Sequence, residues 1–163
     1  MAFPSKFSRA SHYTIEAKIM NLINAYQHEG SIKELYELLK MRSATHSISH
    51  NKMPEYAEHE LFFKSKPYRH WYLVRQCNKT IGSVYITENN EIGLFIPEPF
   101  THLQSEVLRI VIASNEPLPA VKSKRVAQFS INSNPENAQL ISAITSAGGV
   151  HVQNTYLLTQ PND

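Results

Sequence analysis

From residue 19 onward the apolar and polar positions follow two periods, and the switches between them divide the chain into elements. Residues 19–25, IMNLINA, form a short apolar run that reads as a strand, and Gln27-His28-Glu29-Gly30 is the polar turn after it. Ser31-Ile32-Lys33-Glu34 has the spacing of a capping box, with Ile32, Leu35, Tyr36 and Leu39 on one helical face. Met53-Pro54-Glu55 places a proline near the start of a second short helix, whose apolar surface is Tyr56, Leu61, Phe62 and Phe63. From Arg69 the period becomes two: HWYLVRQC and TIGSVYIT flank a tight turn at Asn78-Lys79, and the turn Glu88-Asn89-Asn90 leads into the strand of residues 91–96, EIGLFI. Thr101-His102-Leu103-Gln104 is another capping box, continued as an amphipathic helix by Leu103, Val107, Leu108, Val111 and Ile112. After a loop over 115–124, residues 125–132 return as a strand. Asn134 then caps a helix opened by Pro135 and closed by Gly148-Gly149, and residues 150–158 make a last strand.

Strand, helix, helix, three strands, helix, strand, helix, strand is an α+β order, and it predicts one mixed, mostly antiparallel sheet flanked by helices. At 163 residues the chain has room for one domain with a real core. Residues 1–18, rich in Ser, Lys and Arg, are expected to be a loose arm, and 19–160 the domain.

Composition narrows the function by exclusion. Sixteen basic and 14 acidic residues are interspersed, which leaves no charged block to track nucleic acid or an anionic membrane, and neither is an expected partner. No apolar run approaches the ~20 residues that cross a bilayer. A lone cysteine, Cys77, and an N-terminal stretch without a secretory-type apolar core predict a cytoplasmic setting. His46 and His50 are four apart, but the small polar residues around them argue for a loop, and no third ligand stands at metal spacing, so no metal site is expected. Tyr68, His70, Trp71 and Tyr72 cluster at a strand start, where alternation sends His70 and Tyr72 to one face and Trp71 and Leu73 to the other.

The element order, together with IGSVYI, EIGLFI, SINSNPENAQLISAITSAGG and NTYLL, resembles the GNAT acyltransferase superfamily over most of residues 19–158. Asn134-Pro135-Glu136-Asn137, Gly148 and Tyr156-Leu157-Leu158 stand where that superfamily has a helix start, a helix-ending glycine and a late strand. The resemblance implies an acyl-CoA-dependent N-acyltransferase, transferring an acetyl group directly from acetyl-CoA to the amine of a small-molecule or peptide acceptor. A homodimer would be compatible with it. The catalytic residues implied are Glu91 as base, since a glutamate is frequent on that strand, and Tyr156 as a candidate acid, with Tyr72 and Tyr85 as further tyrosines. Coenzyme contacts would come from the backbone of Leu94, Phe95 and Ile96, from Thr101, Gln104 and Ser105 at the helix start, and from Asn132 and Asn137. The acceptor side would be formed by His46, Ser49, His50 and Tyr72.

The chain departs from that pattern twice. Where the superfamily has a glycine-rich loop to cradle the pyrophosphate, this chain has EPFTHLQS over residues 98–105, without glycine or arginine. Where a tyrosine commonly precedes the helix-ending glycine by four residues, Ile144 stands. The joint loss supports an alternative expectation: a GNAT-like module that binds a ligand or protein and has lost normal coenzyme A binding.

Overall fold

Alternating side chains build a five-stranded sheet with strands in chain order, and each face buries its own helix pair. The structure, a computed structural model, describes residues 20–42, 53–156 and 158. Strand β1 (Met20–Asn24) pairs antiparallel with β2 (His70–Gln76), β2 with β3 (Lys79–Ile86), and β3 with β4 (Glu91–Phe95). The short β5 (Ser130–Ile131) joins β4 in parallel. Helices α1 (Ser31–Lys40) and α2 (Tyr56–Lys64) cover one face, where Leu35, Leu38 and Phe63 meet Trp71, Leu73 and Phe95. Helices α3 (Gln104–Ser114) and α4 (Ala138–Ser146) cover the other, where Val107, Leu108, Val111 and Ile144 meet Val74, Val84, Ile86 and Ile92. The domain is α+β with a mostly antiparallel sheet, as the periodicity predicts, and no helix among the described residues is long and apolar enough to cross a membrane.

The local departures have physical causes. The capping box expected at Ser31–Glu34 is not formed: Gly30, at φ 87°, takes the cap, and the Glu34 carboxylate accepts instead from Arg75 Nη2 at 2.9 and 3.1 Å and from the Thr80 hydroxyl. A charged partner on the sheet beneath the helix outcompetes a backbone amide as donor. The box at Thr101–Gln104 fails too: residues 101–103 form a 3-10 turn, the Thr101 hydroxyl donates to Glu98, and Gln104 is buried. The hairpin turn sits one residue earlier than expected, on Cys77 and Asn78, both at positive φ as a primed turn requires. On α2 the buried residue is His59, whereas Tyr56, Leu61 and Phe62 are exposed; on α3, Ile112 is exposed.

Two elements near the C-terminus are corrected. Of residues 125–132 only Ser130 and Ile131 join the sheet, because Arg125 is held in a loop by an isolated antiparallel bridge to Val121 and by the Pro119 and Glu88 carbonyls. The cap of α4 is Asn137, whose side chain accepts from the Leu140 N–H at 3.1 Å, whereas Asn134 bonds the Glu136 N–H in a local turn. Gly148, at φ 93°, closes the helix as expected, since that conformation disfavours any residue with a Cβ. Residues 150–156 form no strand, and Val150, Val152 and Tyr156 are 80%, 88% and 78% exposed.

Candidate functional site

The sheet opens where β4 ends. The parallel pairing stops at Ile92–Ile131, so β4 runs on through Gly93, Leu94 and Phe95 with no strand beside that edge among the described residues. Beyond Phe95, the chain turns through Pro97 and Glu98 toward α3, and the start of α4 approaches the same corner. Between them lies a cleft of about 320 Å³ lined by Met41, Phe95, Pro97, Glu98, Thr101 and Gln139.

Glu98 sets the charge of this cleft. Its Oε1 accepts from the Thr101 hydroxyl at 2.9 Å and from Gln139 Nε2 at 3.1 Å. The Gln139 bond and then the Thr101 bond hold its carboxyl below the usual carboxylate range, so it is an anion at neutral pH. The donors that a pyrophosphate would use are largely spent. The N–H groups of Phe100, Leu103 and Gln104 bond to Pro97, Phe100 and Thr101 carbonyls, and Gln104 is 3% exposed with its Oε1 unpartnered among the described residues. The helix start therefore offers a fixed carboxylate where its dipole alone would favour an anion.

On the α1–α2 face, next to the cleft, aromatic rings surround one cation. Tyr85 lies across Gly93, its register partner on β4; a Cβ at Gly93 would stand 2.0 Å from the Tyr85 ring. Gly93 is thus spent on seating a ring and leaves no room for a ligand. Tyr68 stacks on Tyr85 with centroids 3.9 Å apart and planes 6° from parallel, and Trp71 meets Tyr68 edge-on at 4.9 Å. The Arg42 guanidinium sits 5.1 Å from the centre of the Phe95 ring. Burial raises the pKa of both tyrosines; Arg42 pulls each back, and Glu91 on the same face raises Tyr85 further. Burial lowers Arg42, against which the two tyrosines act in the opposite direction.

The expected site residues divide. Phe95, Thr101 and Gln104 gather around the corner of β4 and α3, with Ser105 one residue into α3, whereas Glu91 stands at the opposite end of β4, paired with Ser130. Leu94 pairs with Val84, and the side chains of Phe95 and Ile96 are core residues. Asn132 is exposed just past β5, and Asn137 is engaged as a cap. Tyr72 lies on the opposite face of the sheet from Phe95, stacked on His70 and donating to Asn115 Oδ1 at 2.8 Å. Tyr156 is on the exposed stretch beyond α4. His46, Ser49 and His50 lie outside the described residues. Among the described residues no cluster could hold a metal. Sequence reasoning missed Arg42, Glu98 and Gln139. A signal for Glu98 was present, an acidic residue standing where a phosphate cradle would start, whereas the pairing with Gln139 spans 41 positions and left no local trace.

Compared with known proteins, the chain matches no family model, no curated protein and no solved structure.

Proposed function

We propose that this domain is a ligand-binding module on a GNAT-like frame, with the cleft at the end of β4 as its site and no working pyrophosphate cradle. The observation that carries this reading is the Glu98 carboxylate, held by Thr101 and Gln139 in the cleft wall where a coenzyme's diphosphate would have to lie. A dianionic group brought there meets a like charge and few free N–H groups. The proposal includes a cytoplasmic setting, in which the exposed, free Cys77 stays reduced.

Acyl transfer is the second reading, and one feature favours it. Among the described residues the β4 edge from Gly93 onward has no strand neighbour, the arrangement in which a pantetheine amide could pair with backbone while Glu91 accepts the amine proton. Calorimetric titration with acetyl-CoA separates the two. The binding-module reading expects no heat at millimolar coenzyme, and Glu98→Gln to improve coenzyme binding if any is detectable. Micromolar binding by the wild type, about −8 kcal/mol, would overturn it in favour of the transferase.

A further inference from the structure

Arg42 is a mostly buried cation with no counter-charge among the described residues. Among the described residues no carboxylate lies within ion-pair distance of it, and its Nε is buried with no hydrogen-bond partner. The ten residues that follow it, 43–52, contain no Asp or Glu. Its neighbours are Phe95, Tyr68, Tyr85 and the ring of His59, none of which is an anion at neutral pH. A second donor in the same cluster is also orphaned: the Nε1 of Trp71, which is 7% exposed. Buried donors without acceptors are costly, by roughly 1–3 kcal/mol each and more when charged. Native folds rarely keep two such groups together unless something else satisfies them.

We infer that Arg42 is the anchor for the carboxylate of a ligand, seated against Phe95 where the aromatic cluster meets the cleft. Both orphans are donors, so the missing group is an acceptor. Guanidinium and carboxylate match in a planar, bidentate geometry, and the flanking rings suit a ligand with an apolar or aromatic body. A single positive charge among aromatic rings is neutralised by a monoanion; a phosphate dianion would leave a net buried charge. Phe95 connects this anchor to the cleft, since its ring faces Arg42 and the residue also lines the cavity. The inference rests on the cleft being a ligand site and names the charge class of that ligand.

Trp71 is the chain's only tryptophan and sits in this cluster, so its fluorescence reports directly on occupancy. The probes are phenylacetate, its neutral isostere phenylacetamide, and inorganic phosphate. The expected result is saturable millimolar binding of phenylacetate, at least about tenfold weaker for phenylacetamide, phosphate and the Arg42→Gln variant, with Arg42→Lys in between. Arg42→Gln should also melt at or above the wild-type temperature, because it removes an unpaired buried charge. Equal binding of phenylacetate and phenylacetamide, phenylacetate binding unchanged in Arg42→Gln, or melting of that variant well below the wild type would each overturn the inference. The acetyl-CoA titration is decided separately. Coenzyme binding together with Arg42-dependent phenylacetate binding would leave Arg42 as an acceptor anchor and remove only the binding-module reading.

Discussion

Gln139, at the start of α4, donates its side-chain amide to the Glu98 carboxylate beyond the end of β4 across 3.1 Å. This contact ties the last helix to the cleft wall and stabilises the ionised form of a surface carboxylate. The titration of Glu98 should therefore lie below the usual carboxylate range and move up toward it in Gln139→Leu, as followed by side-chain carboxyl NMR. A depressed carboxylate stabilises the fold above its unfolded pKa, and that contribution is lost as pH falls through the folded value. An upward move in Gln139→Leu, with a further one on adding Thr101→Val, would establish both donors. No movement would show that Glu98 is free in solution.

Asn90 holds the loop between α3 and β5. It is fully buried at φ 61°, its Nδ2 donates to the Leu118 and Val126 carbonyls, both at 2.9 Å, and its Oδ1 accepts from the Leu118 N–H at 2.7 Å. Alanine would leave those backbone groups unpaired and strain the left-handed backbone. Asn90→Ala should cost about 3 kcal/mol, on the order of 10 °C in Tm for a domain of this size. A thermal melt shifted by no more than a degree or two would show that water replaces the side chain.

What could be read in the sequence follows from the range of each interaction. The antiparallel strands and the α1 and α3 helices were legible because period and turn chemistry are local, and the split of Trp71 and Tyr72 to opposite faces came from alternation alone. Two capping boxes were misread because Glu34 and Thr101 have better partners, Arg75 and Glu98, that local spacing does not reveal. The strand expected over 150–158 has the right alternation, yet residues 150–156 pair with nothing described, since alternation shows that a segment suits a sheet and not that a partner edge exists. Of the candidate site, the corner at Phe95 and Thr101 was legible. Arg42 was not, because its meaning lies in having no counter-ion among the described residues around it.

Gly93 should tolerate a side chain only if Tyr85 gives way. Because a Cβ would come within 2.0 Å of the ring, Gly93→Ala should destabilise by ~2 kcal/mol and disturb the Tyr68–Tyr85 stack. In a Tyr85→Ala background the same change should cost close to nothing, or gain slightly from better strand propensity. A double-mutant cycle by chemical denaturation measures the difference. Equal costs in both backgrounds would mean that Gly93 is required for its backbone and not for the ring.

His59 predicts the direction of acid sensitivity. It is 5% exposed, its Nε2–H donates to the Ile32 carbonyl at 3.1 Å, and it lies among Tyr36, Trp71 and the Arg42 charge. Burial is the main reason that its pKa falls below the ordinary 6.5; the bond to Ile32 opposes this and Arg42 reinforces it. The unfolded chain therefore binds a proton at a pH where the folded one does not, so the stabilisation is complete above about 6.5 and declines as pH drops below it, by at most about 1.4 kcal/mol per pH unit. His59→Gln keeps a donor for Ile32 but cannot titrate. His70, also held below its ordinary value mainly by burial, remains in the variant and contributes equally to both proteins. The wild type should thus lose more Tm than His59→Gln between pH 7.5 and 5.5, with the two converging near neutrality. Parallel curves across that window would show that His59 becomes protonated in the folded protein as readily as in the unfolded one.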